Sequence, residues 1–493
     1  MKRLTLPRLV IAITFIGLFA MAVRTPADTD MYWHLRSGQY IVENRMVPTS
    51  DPFSWTMAGT AWVDVHWLSQ IVLFVTYTLA GYPGLSLLVA ALVVVACVWV
   101  WKQMSGGVFL RAAIVILTAA TAAATWTPRS QMATFLLTAL LSYILFLYKW
   151  KRVDRLWIVP LIFCVWINLH GGYIAGLMLL GTLLVGEGAQ IVIGKLGIGH
   201  LEVQALSEDS RLTWPQLRKL MVIALISIAV LLINPYTIEA LRLPFKTVGI
   251  GVLQDFIQEW TSPNFHQLFL QPMIWMLLFT LVSIGWSRRR LDVTDALTLS
   301  LFVYITLLAQ RNIGLFAIIC APILSRHLSA LFDRSKWAGR SLSRGSPIVN
   351  ALLVGLIAFA AAIKITVALL PATIDQAQRQ ALPIGAVDWI AQHKPDGLMF
   401  NSYNWGGYLL WRLYPQYPVY VDGRTDVYDD SFLRNYLSIT SIAPDYDRRL
   451  NQSGAQFVVI ESSTLLDQFL ARNGAWHEAY RDAQAVIYVR AKA

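Results

Sequence analysis

The chain has 493 residues, 56% of them hydrophobic and only 14% charged, and the apolar residues come in runs long enough to cross a bilayer. That pattern excludes a water-soluble globular enzyme and predicts a polytopic α-helical membrane protein. The formal charge of +11 does not indicate a nucleic-acid partner, because Lys and Arg cluster in short loops between apolar runs, as orientation signals do.

The first apolar segment, about 9–23, follows Lys2, Arg3 and Arg8. The N-terminus is therefore expected in the cytoplasm, with Asp28 emerging on the opposite face. The same stretch has the pattern of a secretory signal, Ala20-Met21-Ala22 being its cleavage site. It runs long for one, and cleavage would detach the anchor beside the acidic pair that follows. Residues 24–82 are expected to form a first outer loop with interface helices. The pattern gives an amphipathic helix over 29–43, a turn at Ser50-Asp51-Pro52, a hairpin around Gly59 and a helix over 66–80 too short to span.

Further spans are expected at about 84–101, 111–126, 131–149, 155–169, 172–193, 218–234, 272–286, 293–309, 312–330 and 348–370, about eleven with the first. This arrangement puts Lys149, Lys151, Arg152 and Arg155 in the cytoplasm, with Arg218, Lys219 and Arg288–Arg290. Arg334, Lys336, Arg340 and Arg344 fall on the same side. Cys97, Cys164 and Cys320 lie within apolar segments, which leaves no disulfide framework and no thiolate metal site.

Residues 1–371 thus read as a transmembrane domain, and 372–493 as a C-terminal extracytoplasmic α/β domain. There the charge rises and short apolar runs alternate with amphipathic ones. Strands are expected at 398–401, 418–421, 456–460 and 485–489, in a mostly parallel sheet. Helices are expected at 384–393, 406–413, 431–438 and 463–472.

The polar residues left at span ends fall on the outer side: Asp28, Asp30 and His34, then Asp64 and His66, then Arg129, Asn168, His170 and Asn234. Glu259, Asn264, His266, Gln310, Arg311 and Asn312 complete the set. Ionisable groups at that depth are costly unless they meet water, a partner or a substrate. Asp28 is placed to cap the helix that follows. Asp30, beside Tyr32, Trp33 and His34, is placed to accept the proton of an attacking hydroxyl or to orient it. Two residues apart, the carboxylates point in different directions and do not form a shared-proton dyad.

The run Asp30-Met31-Tyr32-Trp33-His34-Leu35-Arg36 is similar to the acidic-aromatic-basic run in the first outer loop of the GT-C superfamily of integral-membrane glycosyltransferases. That superfamily includes protein O-mannosyltransferases, the lipid A aminoarabinose transferase and the oligosaccharyltransferase catalytic subunit. The long first loop, the many spans and the outer C-terminal domain extend the resemblance over most of the chain. It implies an inverting transfer from a polyprenyl-phosphate-linked sugar to an acceptor glycan, lipid or protein at the outer face of a cell membrane. Asp30 would be the base and Asp28 its helper.

The leaving phosphate would need a preorganised cation. Arg129 and Arg311 are the candidates, with His66 and His170 as further donors. His34, Glu259, Tyr403, Trp405, Asp422 and Arg424 would lie on the acceptor side. Tyr403-Asn404-Trp405-Gly406-Gly407 is distantly similar to the acceptor-binding Trp-Trp-Asp-Tyr-Gly motif of oligosaccharyltransferase, but lacks the paired Trp and the Asp. One branch of the superfamily binds divalent cations, and Asp28, Asp30 and Asp64 are the oxygen ligands available here for Mg²⁺ or Mn²⁺. Two other readings compete. One is a transporter or lipid flippase, for which Glu187 inside a span is the main feature; the other is a catalytically silent relative acting as a scaffold.

Overall fold

The computed structural model describes residues 4–196, 211–332 and 346–491. The basic run Arg334, Lys336, Arg340 and Arg344, and the leading Lys2 and Arg3, lie outside the described residues. Seven described helices are long and apolar enough to cross a membrane: Trp67–Gln103, Val108–Thr125, Gln131–Lys151, Tyr173–Ile193, Leu268–Trp286, Gln310–Phe332 and Pro347–Leu369. The chain is a multi-pass membrane protein.

The expected count of about eleven is therefore corrected. The other four expected spans form the helices Leu6–Ala22, Ile158–Leu169, Trp214–Val230 and Val293–Leu308, of 17, 12, 17 and 16 residues. At about 1.5 Å per residue these are shorter than the roughly 30 Å hydrocarbon core. The apolar run outlasts the helix in such cases: Leu308 is followed by Ala309 in extended backbone, and Val230 by turns leading to Asn234-Pro235.

The segment expected as a separate helix over 66–80 is continuous with the next span, from Trp67 to Gln103, but breaks at Gly81. There φ is 60° and ψ −156°, a conformation that only glycine adopts without strain. Near the other end of the helix bundle, Lys149 lies between Glu187 and Asp292 (2.6 Å), all three buried. Glu187 is thus the partner of a buried cation, the condition under which a carboxylate is tolerated at such depth.

The C-terminal unit carries a four-stranded sheet: β1 (Leu398–Asn401), β2 (Ala455–Glu461), β3 (Trp476–Arg481) and β4 (Ala485–Arg490), in the order β1-β2-β4-β3. Only β1/β2 is parallel; β2/β4 and β4/β3 are antiparallel, so the expected mostly parallel sheet is corrected. Residues 418–421 are not a strand of this sheet. Pro418 has no N–H to give a ladder, and Val419 pairs with the first loop, donating to the Phe53 carbonyl (3.3 Å) and accepting from the Trp55 N–H (3.1 Å).

This junction explains how the two parts are joined. Met31, Tyr32, Trp33 and Leu35 from the loop helix Met31–Asn44 share one apolar core with Leu409, Leu410, Val419 and Val421. Beside them Arg424, fully buried, donates from Nη1 to Asp51 (2.6 Å) and from Nη2 to Asp422 (2.8 Å). The rings of Phe53 and Trp62 lie 5.1 and 4.8 Å from its guanidinium carbon. The first loop and the C-terminal unit therefore sit on the same side of the helix bundle.

Candidate active site

A cavity of about 640 Å³ opens where the loop helix, several span ends and the C-terminal unit meet. Thr29 and Asp30 line one part of it, with Asp28 directly behind. Asp28 Oδ1 accepts the backbone N–H groups of Asp30 (2.9 Å) and Met31 (3.2 Å). The helix accordingly begins at Met31 rather than Thr29, with its first donors satisfied by the Asp28 side chain. Asp30 is left at the helix end with its carboxylate on the cavity.

Arg129 enters from the turn after Trp126-Thr127-Pro128. Its Nε lies 2.7 Å from Asp28 Oδ1, and its Nη1 lies 2.8 Å from Asp30 Oδ2 and 3.3 Å from Glu259 Oε2. One guanidinium thus serves three carboxylates. Burial pushes the Asp30 carboxyl up to about 7, Arg129 pulling it down and Asp28 and Glu259 pushing it up. The three carboxylates hold the Arg129 guanidinium firmly protonated despite its burial.

Three imidazoles also line the cavity, His34 one turn along the helix from Asp30. The His66 ring lies 5.6 Å from that of His34 and 5.1 Å from that of His170. The backbone N–H of Gly172 donates to His170 Nδ1 (2.9 Å), which places the His170 proton on Nε2. His66 Nδ1 pairs with the Ser130 hydroxyl (3.0 Å). Burial pushes His66 down to about 3 and His34 and His170 well below the ordinary imidazole value, so all three are uncharged at neutral pH. Arg311 lines the same cavity with its guanidinium 4.3 Å from the centre of the Trp260 ring. Among the described residues it has no carboxylate partner.

The C-terminal unit closes the cavity with Tyr403, Asn404, Gly423, Thr425 and Asp426. Tyr403 and Asn404, with Phe256 and Ile257, also border a second, more apolar cavity of about 390 Å³ that continues to Leu433, Leu437 and Glu461.

Of the residues singled out from sequence, Asp30, His34, His66, Arg129, His170, Glu259, Arg311 and Tyr403 line the main cavity, and Asp28 stands behind it on Arg129. Others are not brought there. Asp422 and Arg424 are consumed in the buried ion cluster with Asp51, and Trp405 is buried with its indole N–H on the Ala381 carbonyl (3.2 Å). Asp64 is fully buried, accepting from the His66 backbone (3.1 Å) and the Gln70 amide (2.9 Å). Asn168 joins helix ends, bonding Trp67 and the Ile233 carbonyl.

The proposed metal ligands do not converge. Among the described residues no three His, Cys, Asp or Glu side chains are grouped to hold a metal ion, since Asp28 and Asp30 turn onto Arg129 while Asp64 faces Gln70. Sequence reasoning missed Trp260 and Ser130, which carry no charge pattern, whereas Gly423 stands between Asp422 and Arg424, both singled out from sequence.

No protein-family model matches the sequence, and no curated protein matches it. Solved structures do. The oligosaccharyltransferase AglB from Archaeoglobus fulgidus, in complex with an inhibitory peptide and a dolichol-phosphate, superposes with a TM-score of 0.58 over 92% of this chain and 69% of its own, at 12% identity. ArnT from Cupriavidus metallidurans, bound to undecaprenyl phosphate, superposes with a TM-score of 0.52 over 97% of both chains, at 14% identity. In architecture, this chain shares the general fold of these two proteins.

Proposed function

We propose that this protein is an inverting membrane glycosyltransferase that takes a sugar from a polyprenyl-phosphate carrier and passes it to an acceptor at the outer face of the membrane. The observation that carries this reading is the polarity of the cavity. A carboxylate, Asp30, and a guanidinium free of carboxylates, Arg311, line it together with neutral imidazoles. The superpositions on a dolichol-phosphate complex and an undecaprenyl phosphate complex support it.

In this mechanism the acceptor hydroxyl gives its proton to Asp30 as its oxygen attacks C1 of the sugar. The bond from C1 to the carrier phosphate breaks, and the phosphate leaves with the electron pair. Arg311, with His66 and the Nε2–H of His170, holds the departing oxygens. A single guanidinium without a carboxylate matches the one negative charge of a monophosphate-linked donor better than the two of a diphosphate. Arg129, enclosed by three carboxylates, orients Asp30 and does not grip phosphate. The acceptor enters past Tyr403 and Asn404, which border both cavities.

The test is hydrolytic release of undecaprenyl phosphate from undecaprenyl-phospho-sugars in nanodiscs, with water as the acceptor, comparing the unaltered protein with Asp30→Asn. Loss of a general base is expected to slow turnover by about 10²- to 10⁴-fold. Undiminished turnover would remove Asp30 from the mechanism.

A further inference from the structure

Gly423 sits between two residues that cannot move. Asp422 and Arg424 are fully buried in the ion cluster with Asp51, and Asp426 Oδ2 accepts the Trp62 indole N–H (3.0 Å). The turn is pinned to the first loop after the glycine by Arg424 and Asp426, and before it by the Tyr420 carbonyl, which accepts the Thr56 hydroxyl (2.6 Å). At its centre the backbone faces the cavity. A Cβ at Gly423 would stand 2.1 Å from Asp30 Oδ1, 2.9 Å from Asp30 Cγ and 3.1 Å from Trp33 Nε1.

The first two distances are impossible for real atoms, and the carboxylate and the turn are both held. Gly423 is not among the residues with positive φ, so conformational freedom is not what requires glycine here. The requirement is space.

Two more glycines of the C-terminal unit repeat the pattern. A Cβ at Gly407 would lie 2.8 Å from the Thr29 carbonyl oxygen and 3.3 Å from the Trp33 nitrogen. At Gly406 it would lie 2.1 Å from the Val421 carbonyl oxygen, inside the segment that leads into the turn. Bare backbone of the C-terminal unit is thus laid against the Thr29–Trp33 strip, on both the carboxylate and the main chain that carries it.

We propose that Gly423 is the positioning residue for Asp30: the side-chain-free turn and the Arg129 guanidinium bracket the carboxylate, so that the C-terminal unit sets the aim of a base carried by the membrane domain. The inference rests on Asp30 being the base. It adds that the sheet-bearing unit takes part in the chemistry by steric means, besides any contact it makes with the acceptor.

The test uses the full chain with Gly423→Ala and Gly407→Ala. Gly474→Ala, where an added Cβ meets nothing within 4 Å, is the control. A cryo-EM structure of Gly423→Ala needs no substrate. It is expected to show the Asp30 carboxylate moved out of hydrogen-bonding reach of Arg129, from which it stands 2.8 Å in the unaltered protein. An unmoved carboxylate, with the 422–424 backbone displaced instead, would overturn the proposal.

With undecaprenyl-phosphomannose, -glucose and -arabinose as donors, both variants are expected to lose about 100-fold in kcat, the scale of an ångström's misplacement. The donor KM should stay within about twofold, a split that a merely unfolded fraction shares but that the thermal midpoint separates. Should Gly423→Ala fold poorly, Gly407→Ala carries the same split. Full kcat in both variants beside an inactive Asp30→Asn overturns the positioning role alone. Full kcat in Asp30→Asn overturns the assignment of the base, whatever the glycine variants do.

Discussion

Asp30 is held where burial and a neighbouring cation act in opposite directions, and burial wins. Its carboxyl is pushed up to about 7, whereas Arg129 acting alone would have lowered it. A base must be ionised to work, so kcat/KM should rise with pH along an acid limb centred near pH 7 and level off above it. Imidazole titration cannot supply that limb, because burial keeps His34, His66 and His170 uncharged throughout this range. A profile flat from pH 5.5 to 8.5 would contradict the assignment. Asp30 was legible in the sequence because a carboxylate beside an apolar span demands a reason. Its surroundings were not, since Arg129 lies 101 positions from Asp28 along the chain and Glu259 a further 130 from Arg129.

Among the elements, the turn 422–426 and the first loop show why charge in a sequence does not reveal its use. Asp422 and Arg424 look like surface ligands by composition, yet they pair with each other, Arg424 meets Asp51 across 373 positions, and its guanidinium is sealed between Phe53 and Trp62. Removing the cation would leave buried carboxylates without compensation. Arg424→Met should therefore destabilise the fold by about 3–5 kcal/mol, read as a lower thermal unfolding midpoint with loosening of the C-terminal unit. An unchanged midpoint would mean that the cluster is not what joins the two parts.

Helices with long apolar runs were readable from periodicity and length alone. The 293–309 helix is found at Val293–Leu308, whereas the one expected at 218–234 lies four residues earlier, at Trp214–Val230, because turns follow Val230 inside the apolar run. The edge strand β3 escaped notice because four of its six residues, His477, Glu478, Tyr480 and Arg481, are polar. The segment 418–421 looked like a strand but serves the first loop instead.

At the scale of the whole molecule, one cavity gathers residues from the first loop, from the ends of several spans and from the C-terminal unit. The convergence at one end of the helix bundle was visible in the charge pattern, but only the fold separates the groups that line the cavity from those, such as Asn168, that bind helix ends together. The basic loops predict the orientation, and labelling tests it. Cysteine placed at exposed Gln468 should react with a membrane-impermeant maleimide in intact cells, and cysteine at exposed Arg155 only after permeabilisation. The reverse pattern would invert the topology and with it the compartment of the reaction.

The most direct measurement is a cryo-EM structure with an undecaprenyl-phospho-sugar bound. The account predicts phosphate oxygens within hydrogen-bonding distance of Arg311 and the His170 Nε2–H, with the sugar C1 facing Asp30. A phosphate seated outside this cavity, or a sugar turned away from Asp30, would contradict it.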